Sequence, residues 1–438
     1  MNRIAVFLVL ASMGASSVFG QDAAPKSLTF DQAVQAAQTN RPLLEEAKAN
    51  LSAAGSRVGQ AQSEFLPTLD TSASWRRALP QQQQNSGTGY TEATPLDYWN
   101  LSVGAREVLW DFGKREKAVK LAESGVRSSD ASLRQLTAEL TYQTVGAFWS
   151  VVFLKEELAS LEEQSKDLLQ HLNAVQLRAG TGSGTKYDVL NTQVRVTSLE
   201  GQKIETTRLL KKQKLILAQL VGSSPAGCEV DGALGVRKTS RSLGDLADLA
   251  LRTRAEIDAA QAKTEGAECA LESSLAGWTP DLSASVATGF QNPLLTQENQ
   301  DLGRPMFNGT LGLTLSLSGL NPAQIVGQTD EARHRLEAAR QGLAWVKQDI
   351  VAQVSRAFED YVSSLSAWEN AREQSGQARQ ALEAAATQYD LGVISNDTYL
   401  NSHLEYEQAR LSELQVLYGQ MVSYFALTQE VGVAPNGL

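Results

Sequence analysis

The 438-residue chain is short of the residues that most often mark a reactive centre. Its two cysteines, Cys228 and Cys269, are too few for a disulfide framework, and sequence spacing alone leaves open whether they pair. Its three histidines, His171, His334 and His403, are not spaced with cysteine or with one another as metal ligands are. His171 and His403 could approach each other at a helix tip, but both are read as solvated helix positions. There is no Gly-x-Ser-x-Gly elbow. The stretch GTGSGTK (180–186) lacks the gap that precedes Gly-Lys-[Ser/Thr] in a phosphate loop, and a helix turn is expected there. No catalytic residue, cofactor or metal is expected.

Long apolar runs are also missing. No segment reaches the roughly 18 consecutive apolar residues of a membrane-spanning helix. Residues 1–20 pair Arg3 with a short apolar run, 4–10, and small residues before Gln21, which predicts a secretory signal cut at that point. Its removal takes away one base and no acid, moving the formal charge from −10 to −11. An acidic balance argues against a nucleic-acid partner.

Proline is absent from 96 to 224 and from 323 to 434, yet crowded at 67, 80, 95, 280, 293, 305 and 322. That pattern falls into two matching halves. SLTFDQAVQAAQTNRPLLEEA (27–47) answers SLGDLADLALRTRAEIDAAQA (242–262), and FLPTLDTSASW (65–75) answers WTPDLSASVATGF (278–290). LRAGTGSGTKYDVLNTQ (177–193) answers YDLGVISNDTYLNSH (389–403). A first repeat over 21–221 and a second over 242–438 are therefore expected, joined by a Gly- and Ser-rich linker over 222–241. Each repeat reads helix, strand, polar loop, strand, very long helix, turn, returning helix.

The proline-free stretches predict helices over 114–178 and 323–391, with returning helices over 188–221 and 397–431. Val151, Leu154, Leu158, Leu161, Ser165, Leu168, Leu172 and Val175 alternate spacings of three and four, the rhythm of a coiled-coil seam. Val189, Thr192, Val196, Leu199, Lys203, Thr206, Leu210, Gln213, Leu217 and Leu220 keep it on the return.

Strands are predicted over 68–77, 100–110, 281–291 and 309–318. In TLGLTLSLSG (310–319) every second residue is leucine, so one face is apolar and the other small and polar. Trp75, Trp99, Phe290 and Phe307 fall at one end of these strands, and Trp110 and Trp278 at the other, as interfacial aromatic girdles do. A half-exposed soluble sheet would alternate equally well. The strands have no short amphipathic helix to cover them, however, and long polar loops separate them, so lipid is the expected neighbour. Four strands cannot close a barrel, and open edges in hydrocarbon leave N–H and C=O groups unpaired. Oligomerisation is therefore expected.

In this order, repeated, these elements resemble the TolC-like outer-membrane efflux proteins over nearly the whole mature length. The strand–helix junction LWDFGKREKAVKLAE (109–123) is similar to the family's Leu-Phe-Asp-Gly-Gly turn, with Trp110 and Phe112 substituted. The resemblance implies an α+β membrane protein in the outer membrane of a Gram-negative bacterium. It would be a homotrimer with a twelve-stranded barrel, continued by a helical tunnel in the periplasm. It would serve as the exit duct of a tripartite efflux or type I secretion system, partnered by a periplasmic adaptor and an inner-membrane transporter. The hairpin-tip motif maps adaptor docking to Gly180, Ser183, Gly392, Val393 and Ser395, with Ser183 and Ser395 as helix caps. It maps the periplasmic gate to Asp188 and Tyr389, with Thr398 and Asn401 where relatives carry constricting acids.

The rival reading is an exported coiled-coil scaffold whose strands pack together in water. The two separate on fractionation: the conduit is expected to sediment with membranes and to need detergent for release. A water-soluble monomer would favour the scaffold.

Overall fold

The computed structural model describes residues 28–39, 41–78, 83–84, 90–91, 96–222, 229–291, 306–317 and 321–438. The expected signal segment, Cys228 and most of the strand-connecting loops lie outside the described residues. The first half runs α1 (Phe30–Thr39), α2 (Pro42–Ser63), β1 (Thr68–Ala78), β2 (Gln83–Gln84), β3 (Tyr90–Thr91), β4 (Leu96–Trp110), α3 (Lys114–Gly180) and α4 (Lys186–Val221). The second runs α5 (Leu243–Thr253), α6 (Ala255–Leu275), β5 (Asp281–Gln291), β6 (Met306–Ser316), α7 (Pro322–Asp390) and α8 (Asn396–Val431).

Where the sequence suggested one helix before each strand pair, there are two. Pro42 occupies the first turn of α2, and Arg41 before it is extended, as a residue preceding proline must be. At the matching place Arg254 is extended between α5 and α6 without a proline. Its guanidinium holds the bend by bonding both oxygens of Glu256, the Glu430 carboxylate at 2.7 Å and the Glu430 carbonyl at 3.0 Å. The segment read as a linker is pinned where it is described. Val230 bridges Leu28, and Lys155 donates to the Val230 carbonyl. Further on, the Gln420 side chain grips the backbone of Arg237 from both sides, and Thr239 N–H donates to the Tyr361 hydroxyl.

The chain forms two compact units. One comprises the described residues 28–39, 143–222, 229–235 and 371–418. Its seam follows the three-four rhythm: Val151, Leu154, Leu161, Leu168, Leu172 and Val175 on α3 are buried, as are Thr192, Leu199, Thr206, Leu210 and Leu217 on α4. Each buried leucine contributes about 1.5–3 kcal/mol. The other unit comprises residues 41–142, 236–370 and 419–438 and contains the sheet.

That sheet has four strands in the order β1-β4-β5-β6, every neighbour antiparallel. A two-residue ladder, β2 with β3, lies in the stretch read as a loop. A Cβ on Gly289 would meet the Leu101 carbonyl oxygen at 2.3 Å, so only glycine lets β4 and β5 approach this closely. A bulge between Val108 and Trp110 ends the ladder just before the turn into α3.

The turn itself is held by one buried carboxylate. Asp111 accepts from the N–H of Gly113 at 3.1 Å, the N–H of Arg115 at 3.0 Å and the Arg115 side chain at 2.8 Å. These bonds keep Phe112 at φ 57°, a left-handed conformation that side chains avoid, in the turn where the resembling family carries glycine. Burial pushes the Asp111 carboxyl up, but the Arg115 and Gly113 bonds outweigh it and hold it below its ordinary value. The stabilisation is therefore complete above pH ~3.9 and lost as pH falls through the lowered value. Asp111→Asn, which keeps the shape and removes the charge, is expected to cost about 1–3 kcal/mol, read as a lower thermal midpoint at neutral pH.

Candidate functional site

Two surfaces carry the functional geometry, and the sheet is the first. The register places Leu69, Thr71, Ala73 and Trp75 opposite Ala105, Val103, Leu101 and Trp99 on one face. The same face continues through Leu282, Ala284, Val286, Thr288 and Phe290 to Leu315, Leu313, Leu311, Gly309 and Phe307. Leu311, Leu313 and Leu315 are 86%, 73% and 69% exposed, so nothing among the described residues covers them. The opposite face is small and polar: Ser72 and Ser102 hydroxyls meet at 2.8 Å, and Arg106 donates to Ser283 at 3.4 Å. Neither β1 nor β6 has a partner on its outer side among the described residues.

The aromatic residues cluster by end. Trp75 faces Trp99, and Phe290 meets Phe307 edge-to-face at 5.6 Å between ring centres. At the other end Trp110 and Trp278 are largely exposed, with Phe112 stacked edge-on against Trp110 at 6.0 Å. Lys114 ties that end together through Asp281 at 2.8 Å and the Thr279 carbonyl at 2.9 Å.

The hairpin tips are the second surface. Both turns, 181–185 and 391–395, have the same length and share their main backbone bonds, with an added Gly184 N–H to Arg178 O bond in the first. Gly182 N–H donates to Ala179 O and Ser183 N–H to Arg178 O; Gly392 N–H donates to Tyr389 O and Val393 N–H to Gln388 O. The glycines with positive φ are Gly182 at 81° and Gly392 at 73°. Gly180 is the last residue of α3, so the first tip's turn begins two residues later than its motif suggested. The cap shifts with it. Thr185 caps α4 in a reciprocal box with Asp188, while the Ser183 hydroxyl bonds back to Arg178 O. In the second tip Ser395 does accept from Thr398 N–H at 3.2 Å. Asp188 thus occupies the position matching Thr398, and within the chain its carboxylate is bonded to Thr185 at 2.6 Å.

Behind the turns the two hairpins join. Arg178 lies 4.4 Å over the Tyr389 ring and donates to Asp390 at 3.1 Å. Tyr389 is 9% exposed and stacks on Tyr399. Asn396, also buried, accepts from His171 Nε2 at 2.8 Å and donates to Thr192 Oγ1 at 3.2 Å and the Asp188 carbonyl at 3.4 Å. His403 is 4% exposed, with Nδ1 2.8 Å from Glu407 Oε1. Neither His171 nor His403 is a solvated position, contrary to the sequence reading. A signal was present: Asn396, Leu400, His403, Glu407, Arg410 and Leu414 keep the three-four rhythm that turns residues inward. Nothing in the sequence marked Arg178.

On the exposed side of the tips Asn401 accepts from Arg195 and donates to Asp397, both at 3.5 Å, and Asp397 accepts from Asn191 at 3.2 Å. Leu177, Tyr187, Leu391 and Val393 are exposed beside it, giving the tips an apolar rim.

A sheet bare on its apolar face and open at both edges, girdled by aromatics and continued by helical hairpins, is the protomer of an outer-membrane β-barrel with a periplasmic helical portion. The profile of the outer membrane efflux proteins matches residues 33–223 and 246–433, and the chain belongs to that family. It is a transport protein of the outer membrane and not an enzyme. It is 22% identical to the alkaline protease secretion protein AprF of Pseudomonas aeruginosa over 362 residues, 81% of this chain and 73% of that one. It is 22% identical to the outer membrane efflux protein BepC of Brucella suis over 421 residues, 94% of this chain and 87% of that one. The crystal structure of the outer membrane protein VceC from Vibrio cholerae superposes with a TM-score of 0.76 at 20% identity, covering 92% and 96% of the two chains.

Lipid contact makes the two faces of β6 unequal. Leu313→Arg is expected to weaken folding into lipid vesicles by about 2–4 kcal/mol. Thr310→Arg, on the polar face, is expected to cost well under half of that in the same titration.

Proposed function

We propose that three copies of this chain close a twelve-stranded barrel, β1 of one copy pairing with β6 of the next, and that the closed barrel and its helices form a passive exit duct. The observation that carries this reading is the pair of unpartnered sheet edges beside a bare leucine face. In hydrocarbon such edges leave backbone groups unbonded, at several kcal/mol each, unless another copy pairs with them. Two copies would make an eight-stranded barrel filled by its own side chains, whereas three leave room for water. The matched element order of the two halves supports a duplicated unit, in which every copy brings two hairpins to the ring.

The tips fit the adaptor-facing role. Their turns are rigid and capped, and Leu391 and Val393 offer an apolar surface to a partner hairpin. Docking then centres on Gly182 and Thr185 in the first tip and on Gly392, Val393 and Ser395 in the second. Gly180 precedes the first turn and Ser183 lies within it. An inner-membrane transporter would supply both energy and selectivity. AprF and BepC are named for secretion and for efflux, and both fit a duct of this kind. Thr398 and Asn401 put neutral side chains where relatives narrow the pore with acids, so multivalent cations should block this duct weakly.

Purified trimers are expected to conduct ions in planar bilayers. Membrane-inserted protein that stays silent, even with tip residues replaced, would overturn the duct. Asn401→Asp should lower the concentration of a trivalent cation that half-blocks the current by about tenfold, the effect of roughly 1.4 kcal/mol of added attraction.

A further inference from the structure

We propose that His171 is a pH-sensitive latch joining the two hairpin tips of one chain, closed at neutral pH and released as the surroundings acidify. The inference rests on the duct reading for its consequence, not for its geometry. Four helices meet at this imidazole. His171 comes from α3; its Nε2 donates to Asn396 Oδ1 on α8, and Asn396 in turn bonds Thr192 Oγ1 and the Asp188 carbonyl on α4. The ring lies against Tyr399 of α8 at 4.1 Å and Tyr389 of α7 at 5.1 Å.

This niche suits a neutral ring. Among the described residues only Nε2 of His171 has a hydrogen-bond partner, so a proton gained at Nδ1 would find no protein acceptor among them. Most of the charged neighbours are already committed. On its own helix Arg178 pairs with Asp390 of α7, while Asp167, one turn before His171, is exposed to solvent. On α8 Glu407 Oε1 lies 2.8 Å from His403 Nδ1, and on α4 Arg195 reaches Asn401 while Asp188 bonds Thr185. Tyr389 and Tyr399 offer only ring faces at these distances. A cation on His171 would thus be half-buried beside Arg178 and a second histidine, with the uncommitted carboxylate of Asp167 out in solvent.

Burial first, then His403 and Arg178, lower the proton affinity of His171, against the opposing pull of Asn396 and Asp390. The sign follows. A histidine held neutral stabilises the closed cluster fully above its free value near 6.5 and loses that contribution as pH falls toward the lowered value. The Asn396 bond survives protonation; what is lost is tolerance of the charge, so the hairpins part instead of rearranging.

Hydrogen exchange of the full-length protein in detergent, corrected for the chemical rate, tests this at the turn 391–395 and the start of α8. Exchange there should rise about three- to tenfold between about pH 7.5 and about pH 5.5. His171→Gln, which retains an N–H donor and cannot titrate, should abolish the rise, and His403→Gln should leave it. A wild-type tip indifferent to pH, or a rise that persists in His171→Gln, overturns the latch. So does a rise that disappears in His403→Gln. Conductance of the same samples at neutral pH separates the two claims: a silent protein with a pH-responsive tip sinks the duct alone, and a conducting protein with an unresponsive tip sinks the latch alone.

Discussion

Everything in this protein depends on how strand edges are treated in a medium without water. The β1-β4-β5-β6 sheet leaves an edge on each side, and a solvated sheet would tolerate both at little cost. Its exposed leucines place the same sheet in hydrocarbon, where an unpaired backbone group cannot find a bond. Satisfying the edges requires another copy, and a ring of copies makes an enclosed space without further instruction. The passage is thus a by-product of backbone bookkeeping in lipid.

That view explains why the polar face of the sheet is so plain. Ser72, Ser102, Thr310 and Thr314 bring small hydroxyl groups, and Gly104, Gly289 and Gly312 bring none. A face built to bind one ligand would combine a pocket with a few converging polar groups. Arg106 leans along the sheet to Ser283 instead. Such a surface wets and does not select, so selection falls to narrower places and to partners.

The sequence made the repeating parts legible and hid the single ones. Alternation at 311–317 and the three-four seam of α3 and α4 are carried by many residues, and no one substitution conceals them. The helix break at Arg254 depends on one guanidinium shared between the adjacent Glu256 and the distant Glu430, and the second is invisible until the fold brings it near. The first tip misled for a different reason. GTGSG offers three glycines, and the register of the carbonyls of Arg178 and Ala179, not composition, decides that Gly182 takes the left-handed turn. His171 and His403 were misplaced because a lone histidine on a polar helix is usually solvated. Here the seam runs through His403, and a buried asparagine sits opposite His171.

The two ends of α3 use opposite chemistry for related tasks. At the membrane end Asp111 is charged and accepts three bonds from the turn it braces, one of them from a guanidinium. Because those bonds favour the ionised form, the brace holds at neutral and mildly acid pH, and a left-handed Phe112 can be carried as a consequence. At the tip the join is an amide, an imidazole and two phenol rings, with Arg178 and Asp390 paired beside it. A neutral join has no such reserve against protonation. A barrel must never come apart in the membrane, whereas hairpin tips that form the entrance proposed above need a join that can open. The ionised brace and the neutral join meet those two demands with few residues each.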